Sequence, residues 1–150
     1  VLKEYIMPGI VCAIRGGPSS QATIATSIQL AKETQETIFF LYVVNLDFLT
    51  HSSSSKTNTI AQELREMGEF ILLGAQEKAE KAGVQADGSI RDGRVVDEII
   101  AFCQEKDPSF VVLGKPKEER EDNLLSLERL MAFAERINGV CQAKVIFTPE

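Results

Sequence analysis

Short apolar runs without period-two alternation, each followed by a segment of helical apolar spacing, constrain this chain more than any other feature. The clearest run is Ile38 to Val44, Ile-Phe-Phe-Leu-Tyr-Val-Val. A strand exposed on one face would alternate; one covered on both faces reads as continuous apolar sequence. Ile10 to Ile14 and Phe110 to Leu113 have the same character, and Val145 to Thr148 closes the series. Val84 to Ile90 is the most polar candidate and fits a sheet edge.

The intervening segments read as helices. Ile24, Ile28 and Ala31 recur at helical spacing, with Pro18 suited to a first turn. A long helix is expected from about Thr59, where Thr59 and Gln62 have capping-box spacing. Its apolar stripe reads Ile60, Leu64, Met67, Ile71, Ala75 and Ala79, and Gly83 ends it. Val96, Ile99, Ile100 and Cys103 form the next face, stopped by Asp107-Pro108. Leu127, Leu130, Met131, Ala134 and Ile137 form the last, capped by Gly139. This βαβ alternation predicts a three-layer, doubly wound α/β fold with a parallel sheet. The chain's 150 residues suit one domain spanning 1–150. In such folds ligands bind beyond the carboxyl ends of the strands, where strand order reverses. The loops after the first and fourth strands are therefore the candidate site.

Charge and composition exclude several classes. The net charge of −6 disfavours nucleic acid, and no basic patch opposes it. Lys115, Lys117 and Arg120 are interleaved with Glu118, Glu119, Glu121 and Asp122, which reads as a solvated loop. No apolar run has membrane-spanning length, so no direct membrane insertion is expected. The start shows no signal-peptide pattern, which points to the cytoplasm. Cys12, Cys103 and Cys141 form neither a disulfide framework nor a zinc pattern and read as buried core residues. The single histidine, His51, lies in the polar stretch Thr50-His51-Ser52-Ser53. No nucleophile–base pair, paired acids or metal cluster stands out, so the chain is read as a non-enzyme without a cofactor.

The order and spacing of these pieces resemble the universal stress protein family from about Gly9 to Pro149. Ile10 to Ser19 looks like the family's opening strand and turn, and Leu41-Tyr42-Val43-Val44 like its second strand. Gly93 followed by Asp97, Glu98, Ile99 and Ile100 resembles its third βα turn. Val111-Val112-Leu113-Gly114 resembles its fourth strand. The resemblance implies five parallel strands in the order 3-2-1-4-5. It also implies a homodimer joined along the edge strand Lys144-Val145-Ile146-Phe147-Thr148. Similar domains occur alone and as soluble cytoplasmic parts of membrane transporters; a chain starting at Val1 leaves both arrangements, and a protein partner, open.

Nucleotide-binding members carry an aspartate after the first strand and G-x2-G-x9-G-[S/T] after the fourth. Here Arg15 replaces the aspartate, and only the first glycine persists, as Gly114. Lys117 holds the second glycine position, and Leu127-Glu128, or Leu130-Met131 with a longer loop, holds the last pair. The resemblance therefore implies a regulatory and dimerisation domain without the usual ATP binding. A second reading stays open: a nucleotide- or small-anion-binding switch using Arg15, Gly16, Gly17, Val44, Gly114, Lys115 and Lys117.

Overall fold

The computed structural model describes residues 8–17, 19–46, 55–115 and 123–149. Its elements alternate as β1 (Ile10–Ala13), α1 (Ser19–Thr34), β2 (Ile38–Val44), α2 (Ser55–Lys81), β3 (Ala86–Asp92), α3 (Val95–Lys106), β4 (Phe110–Gly114), α4 (Asn123–Asn138) and β5 (Lys144–Thr148). All pairings are parallel, and the order is β3-β2-β1-β4-β5. The sequence-derived fold and strand order therefore hold. β1 lies at the centre, with Ile10 opposite both Ile38 and Phe110. The polar β3 forms one edge, as its composition implies, and β5 the other.

Period-two alternation along β1 divides the core. Ile10 and Cys12 face α1 and α2, meeting Ile24, Ala31, Leu72, Ala75 and Ala79. Val11 faces α3 and α4, meeting Ile99, Phe102, Cys103 and Ile137. β1 is covered on both faces, which explains its unbroken apolar sequence. At the end of α3, Asp107 takes a left-handed φ of 47° and returns its N–H to the Cys103 carbonyl at 2.8 Å. Gly83 after α2 is also left-handed, with φ 80°, and its N–H donates to the Glu80 carbonyl at 2.9 Å.

Several boundaries and faces differ from the sequence reading. β3 runs Ala86–Asp92 rather than 84–90, because the Val84 N–H is used in the turn, bonding the Ala79 carbonyl at 2.9 Å. α2 begins at Ser55, so Thr59 and Gln62 lie inside it and Gln62 instead donates to Glu66 at 3.1 Å. The buried face of α2 is rotated: Ala61, Gly68, Leu72, Ala75 and Ala79 face the sheet, while Ile60 and Met67 are exposed. The helix turns its smallest residues inward and so sits close on the strands. On α3 the buried large residue is Phe102 rather than Val96, and on α4 Leu127 and Met131 are exposed.

The two glycines within α2 have opposite roles. A Cβ at Gly68 would lie 2.6 Å from Tyr42 Cδ1 and 2.8 Å from Ile90 Cδ1. A Cβ at Gly74 would meet nothing within 4 Å. Alanine favours a helix interior over glycine by about 1 kcal/mol. Gly74→Ala should therefore stabilise the fold by about 0.5–1 kcal/mol. Gly68→Ala should destabilise it by roughly 1–2 kcal/mol once overpacking exceeds that gain. Urea unfolding midpoints moving in opposite directions would agree; parallel shifts would refute the close approach at Gly68.

Candidate functional site

At the carboxyl edge of the sheet the chain leaves a crevice between β1 and β4, the place where strand order reverses. It has a volume of about 290 Å³. Its floor is Ala13, Ile14, Leu41 and Leu113 from the strand ends, and its walls include Val43, Val95, Val96, Ile99, Leu130, Phe133 and Phe147. Arg15 and Gly114 complete the lining. Among the described residues, apolar walls with one cation, Arg15, give a site suited to a flat apolar body carrying an anionic group.

A set of small hydroxylated residues places the strand ends. Thr23 of α1 and Thr148 of β5 share a buried hydrogen bond of 2.8 Å. The Thr148 hydroxyl also reaches the Leu113 carbonyl at 3.4 Å, and the Lys115 N–H donates to the Thr148 carbonyl at 3.0 Å. Gly114 lies against this pair; a Cβ there would come within 3.0 Å of Thr23 Oγ1. Glycine at 114 thus has a packing reason independent of any phosphate. The turn after β1 is fixed likewise: the Arg15 N–H donates to Ser20 Oγ at 3.0 Å, and the Ser20 hydroxyl donates back to the Arg15 carbonyl. The Arg15 backbone is anchored while its side chain stays exposed.

The residues proposed from sequence separate into groups. Arg15 and Gly114 share the crevice. Gly16 and Gly17 open on the opposite face, in a cleft of about 200 Å³ between α1 and α2 that Arg15 also lines. Val44 is buried, with its carbonyl accepting from the Gly93 N–H at 3.0 Å, and its neighbour Val43 lines the crevice instead. Lys115 is exposed beside the crevice rather than in its lining. Lys117 lies outside the described residues, as do His51 and the acids at 118–122. Sequence reasoning missed Val95, Val96 and Phe133. The signal available was Val95-Val96 directly after the Gly93-Arg94 turn, where a strictly solvated first helical turn would be polar.

Two wider clefts, of about 430 and 570 Å³, lie at the amino edge. Turn residues such as Gln35, Thr37, Gly83 and Gln85 line them. They are remote from the strand carboxyl ends. Glu36, at this edge, accepts from Ser109 Oγ at 2.6 Å, a contact that joins the chain ahead of β2 to the chain ahead of β4.

Among the described residues no group of three or more His, Cys, Asp or Glu could hold a metal ion. No described helix is long and apolar enough to cross a membrane. All three cysteines are free and buried, with Cys12 in the central strand and Cys103 on the inner face of α3. Burial pushes the Cys12 and Cys103 thiols up to about 12.

The universal stress protein family profile matches residues 8–138, and the chain belongs to that family. Its members are generally non-catalytic regulatory modules. Universal stress protein YxiE of Bacillus subtilis is 31% identical over 113 residues, covering 70% of this chain and 76% of that protein. Universal stress protein MJ0531 of Methanocaldococcus jannaschii is 25% identical over 150 residues, covering 98% and 86%. A Burkholderia pseudomallei family structure superposes with a TM-score of 0.73 at 20% identity, over 97% and 98% of the two chains. The Archaeoglobus fulgidus universal stress protein in complex with dAMP gives 0.60 at 15%, over 95% and 98%. An Arabidopsis thaliana family protein with AMP bound gives 0.59 at 17%, over 95% and 92%.

The thiols provide a test of the burial pattern. An unfolded chain sheds thiol protons near pH 9.0, whereas the folded chain holds those of Cys12 and Cys103 to about 12. Their folded values are raised, so their contribution is complete below pH 9.0 and lost as pH rises towards 12. Unfolding free energy should therefore fall over that alkaline window. The fall should be smaller in Cys12→Ala/Cys103→Ala, measured against that variant's own neutral value. Thiol labelling should be slow in the native state and fast in denaturant; rapid native labelling of Cys12 or Cys103 would contradict the packing.

Proposed function

We propose that this domain is a non-catalytic regulatory module that binds a nucleoside monophosphate at the carboxyl-edge crevice and acts as a homodimer. The observation that carries the reading is the apolar crevice with Arg15 in its lining. Val43, Val95, Val96 and Phe133 offer a base dispersion contact on several sides. The Arg15 guanidinium can meet a phosphate with two parallel N–H donors. A volume of about 290 Å³ lies at the small end of ligand sites, which suits a mononucleotide better than a triphosphate. The dAMP and AMP bound by similar folds support the same ligand class.

The departures from the family's phosphate loop set the ligand's size rather than removing the base site. Lys117 stands where a glycine would let backbone N–H groups wrap a phosphate chain, and Leu127-Glu128 where a glycine and a hydroxyl would follow. A monophosphate needs fewer such donors than ATP. Three free, buried thiols support a reducing, cytoplasmic setting.

Titration calorimetry with AMP should show saturable one-to-one binding, with ATP no tighter. Arg15→Ala should weaken AMP by about tenfold or more, as loss of a charge-assisted hydrogen bond does. Val96→Asp should abolish binding by placing a charge against the base. No saturable heat with AMP, or an affinity indifferent to both substitutions, would end this reading.

The dimer rests on β5, which occupies a sheet edge with Val145, Ile146 and Phe147 only partly buried. An apolar edge strand recruits a partner strand, and a two-fold axis closes the assembly. Sedimentation equilibrium at micromolar concentration should return twice the chain mass; a monomer throughout would reject it.

A further inference from the structure

The outward face of α2 carries apolar side chains that the fold does not use. Phe70 is 77% exposed, Leu73 55% and Met67 53%. Phe70 and Leu73 fall in a row with Glu63, Glu66 and Glu77, spaced four and three residues apart in alternation, as along a coiled-coil seam. The seam is apolar at its centre and acidic on both sides. None of these three glutamates joins an ion pair among the described residues. Gly74, one turn beyond Phe70, leaves open space where a Cβ would stand. The cleft of about 200 Å³ between α1 and α2, lined by Phe70, Ile71 and Gly74 together with Arg15 and Lys78, provides a hole beside the knob, with Lys78 already donating to Gln21.

We propose that this face docks a helix of a partner protein that is apolar at its centre and carries Lys or Arg about one to two turns to either side. Charge decides between occupants. In a second copy packed antiparallel about Phe70 and Leu73, Glu66 would meet Glu77, and Glu63 would meet Glu80, so like charges oppose self-association. An anionic bilayer would meet the same acids, which opposes a membrane. A basic amphipathic helix pairs the acids while covering Phe70 and Leu73, the helix-on-groove mode of recognition. The surface lies on α2, away from β5, so binding here leaves the β5 edge open; the cleft beside Phe70 shares Arg15 with the carboxyl-edge crevice.

The test is fluorescence anisotropy of a labelled synthetic helical peptide with Leu at the two central seam positions and Lys at the flanking ones. The controls are a scrambled peptide of the same composition and a charge-reversed peptide with Glu for Lys. The basic seam peptide should bind saturably and weaken as salt is raised. Phe70→Ser should weaken it by about tenfold or more, as loss of a central aromatic anchor does. Since Phe70 is exposed, the variant's melting temperature should stay within a few degrees of the parent. In the double variant Glu66→Lys/Glu77→Lys, preference should pass to the charge-reversed peptide. Equal binding of the scrambled peptide, indifference to Phe70→Ser, or no reversal in the double variant would overturn the proposal. So would Phe70-dependent co-sedimentation with phosphatidylserine–phosphatidylcholine vesicles, which would assign the face to a membrane.

Discussion

Everything in this fold depends on β1 having no solvent-facing side. Four residues long, it is paired along both edges and roofed on both faces. Its Ile10 and Cys12 seed one core layer and its Val11 the other. A parallel strand in that position cannot lose a backbone partner without leaving polar groups in an apolar interior. The helices are therefore held to the sheet from the centre outwards, and the β1–β4 junction becomes the one place at the carboxyl edge where chains diverge. The crevice is a consequence of that divergence, and its apolar floor is the continuation of the buried strands.

The hydroxyl contacts at this junction explain a feature that motif reasoning would assign to ligand binding. Gly114 resembles the first residue of a phosphate loop, yet Thr23 Oγ1, held by Thr148, crowds the position where its side chain would stand. The same glycine can therefore persist with or without the remainder of the loop. Arg15 is different. Its backbone is tied to Ser20, its side chain is exposed, and no packing demand of the sheet calls for a cation there. That contrast makes Arg15 more informative about function than Gly114.

Legibility from sequence followed physical simplicity. Strands covered on both faces announce themselves as unbroken apolar runs, and with the helical segments between them the layered parallel fold follows; the family resemblance adds strand order. The face of α2 was misread because Ile60 and Met67 are larger than Ala61 and Gly68, and size suggests burial. The helix instead approaches the strands through small residues, with Gly68 against Tyr42 and Ile90, which only the three-dimensional distance reveals. Val96 was read as part of a helical core stripe with Ile99, and Val95 was not considered. Both stand partly exposed at the mouth of the crevice, a distinction that periodicity over so short a stretch does not make. Arg15 was conspicuous because the residue type conflicts with the family's pattern.

The length of α2 has a consequence for how evenly the molecule holds together. The helix spans 27 residues, and the ion pair from Arg65 to Asp92, at 2.5 Å, ties it to the last residue of β3. The ten residues ahead of that tie, 55–64, cover about 15 Å of helix beyond the end of β3. Among their described side chains only Ala61 is buried. Backbone amides there rely on the helix's own cooperativity, whereas those near Leu72, Ala75 and Ala79 open only when the core opens. One unbroken helix thus contains two regimes of hydrogen exchange, a quickly exchanging overhang and a body that exchanges with the whole fold, and the Arg65–Asp92 pair marks the boundary between them.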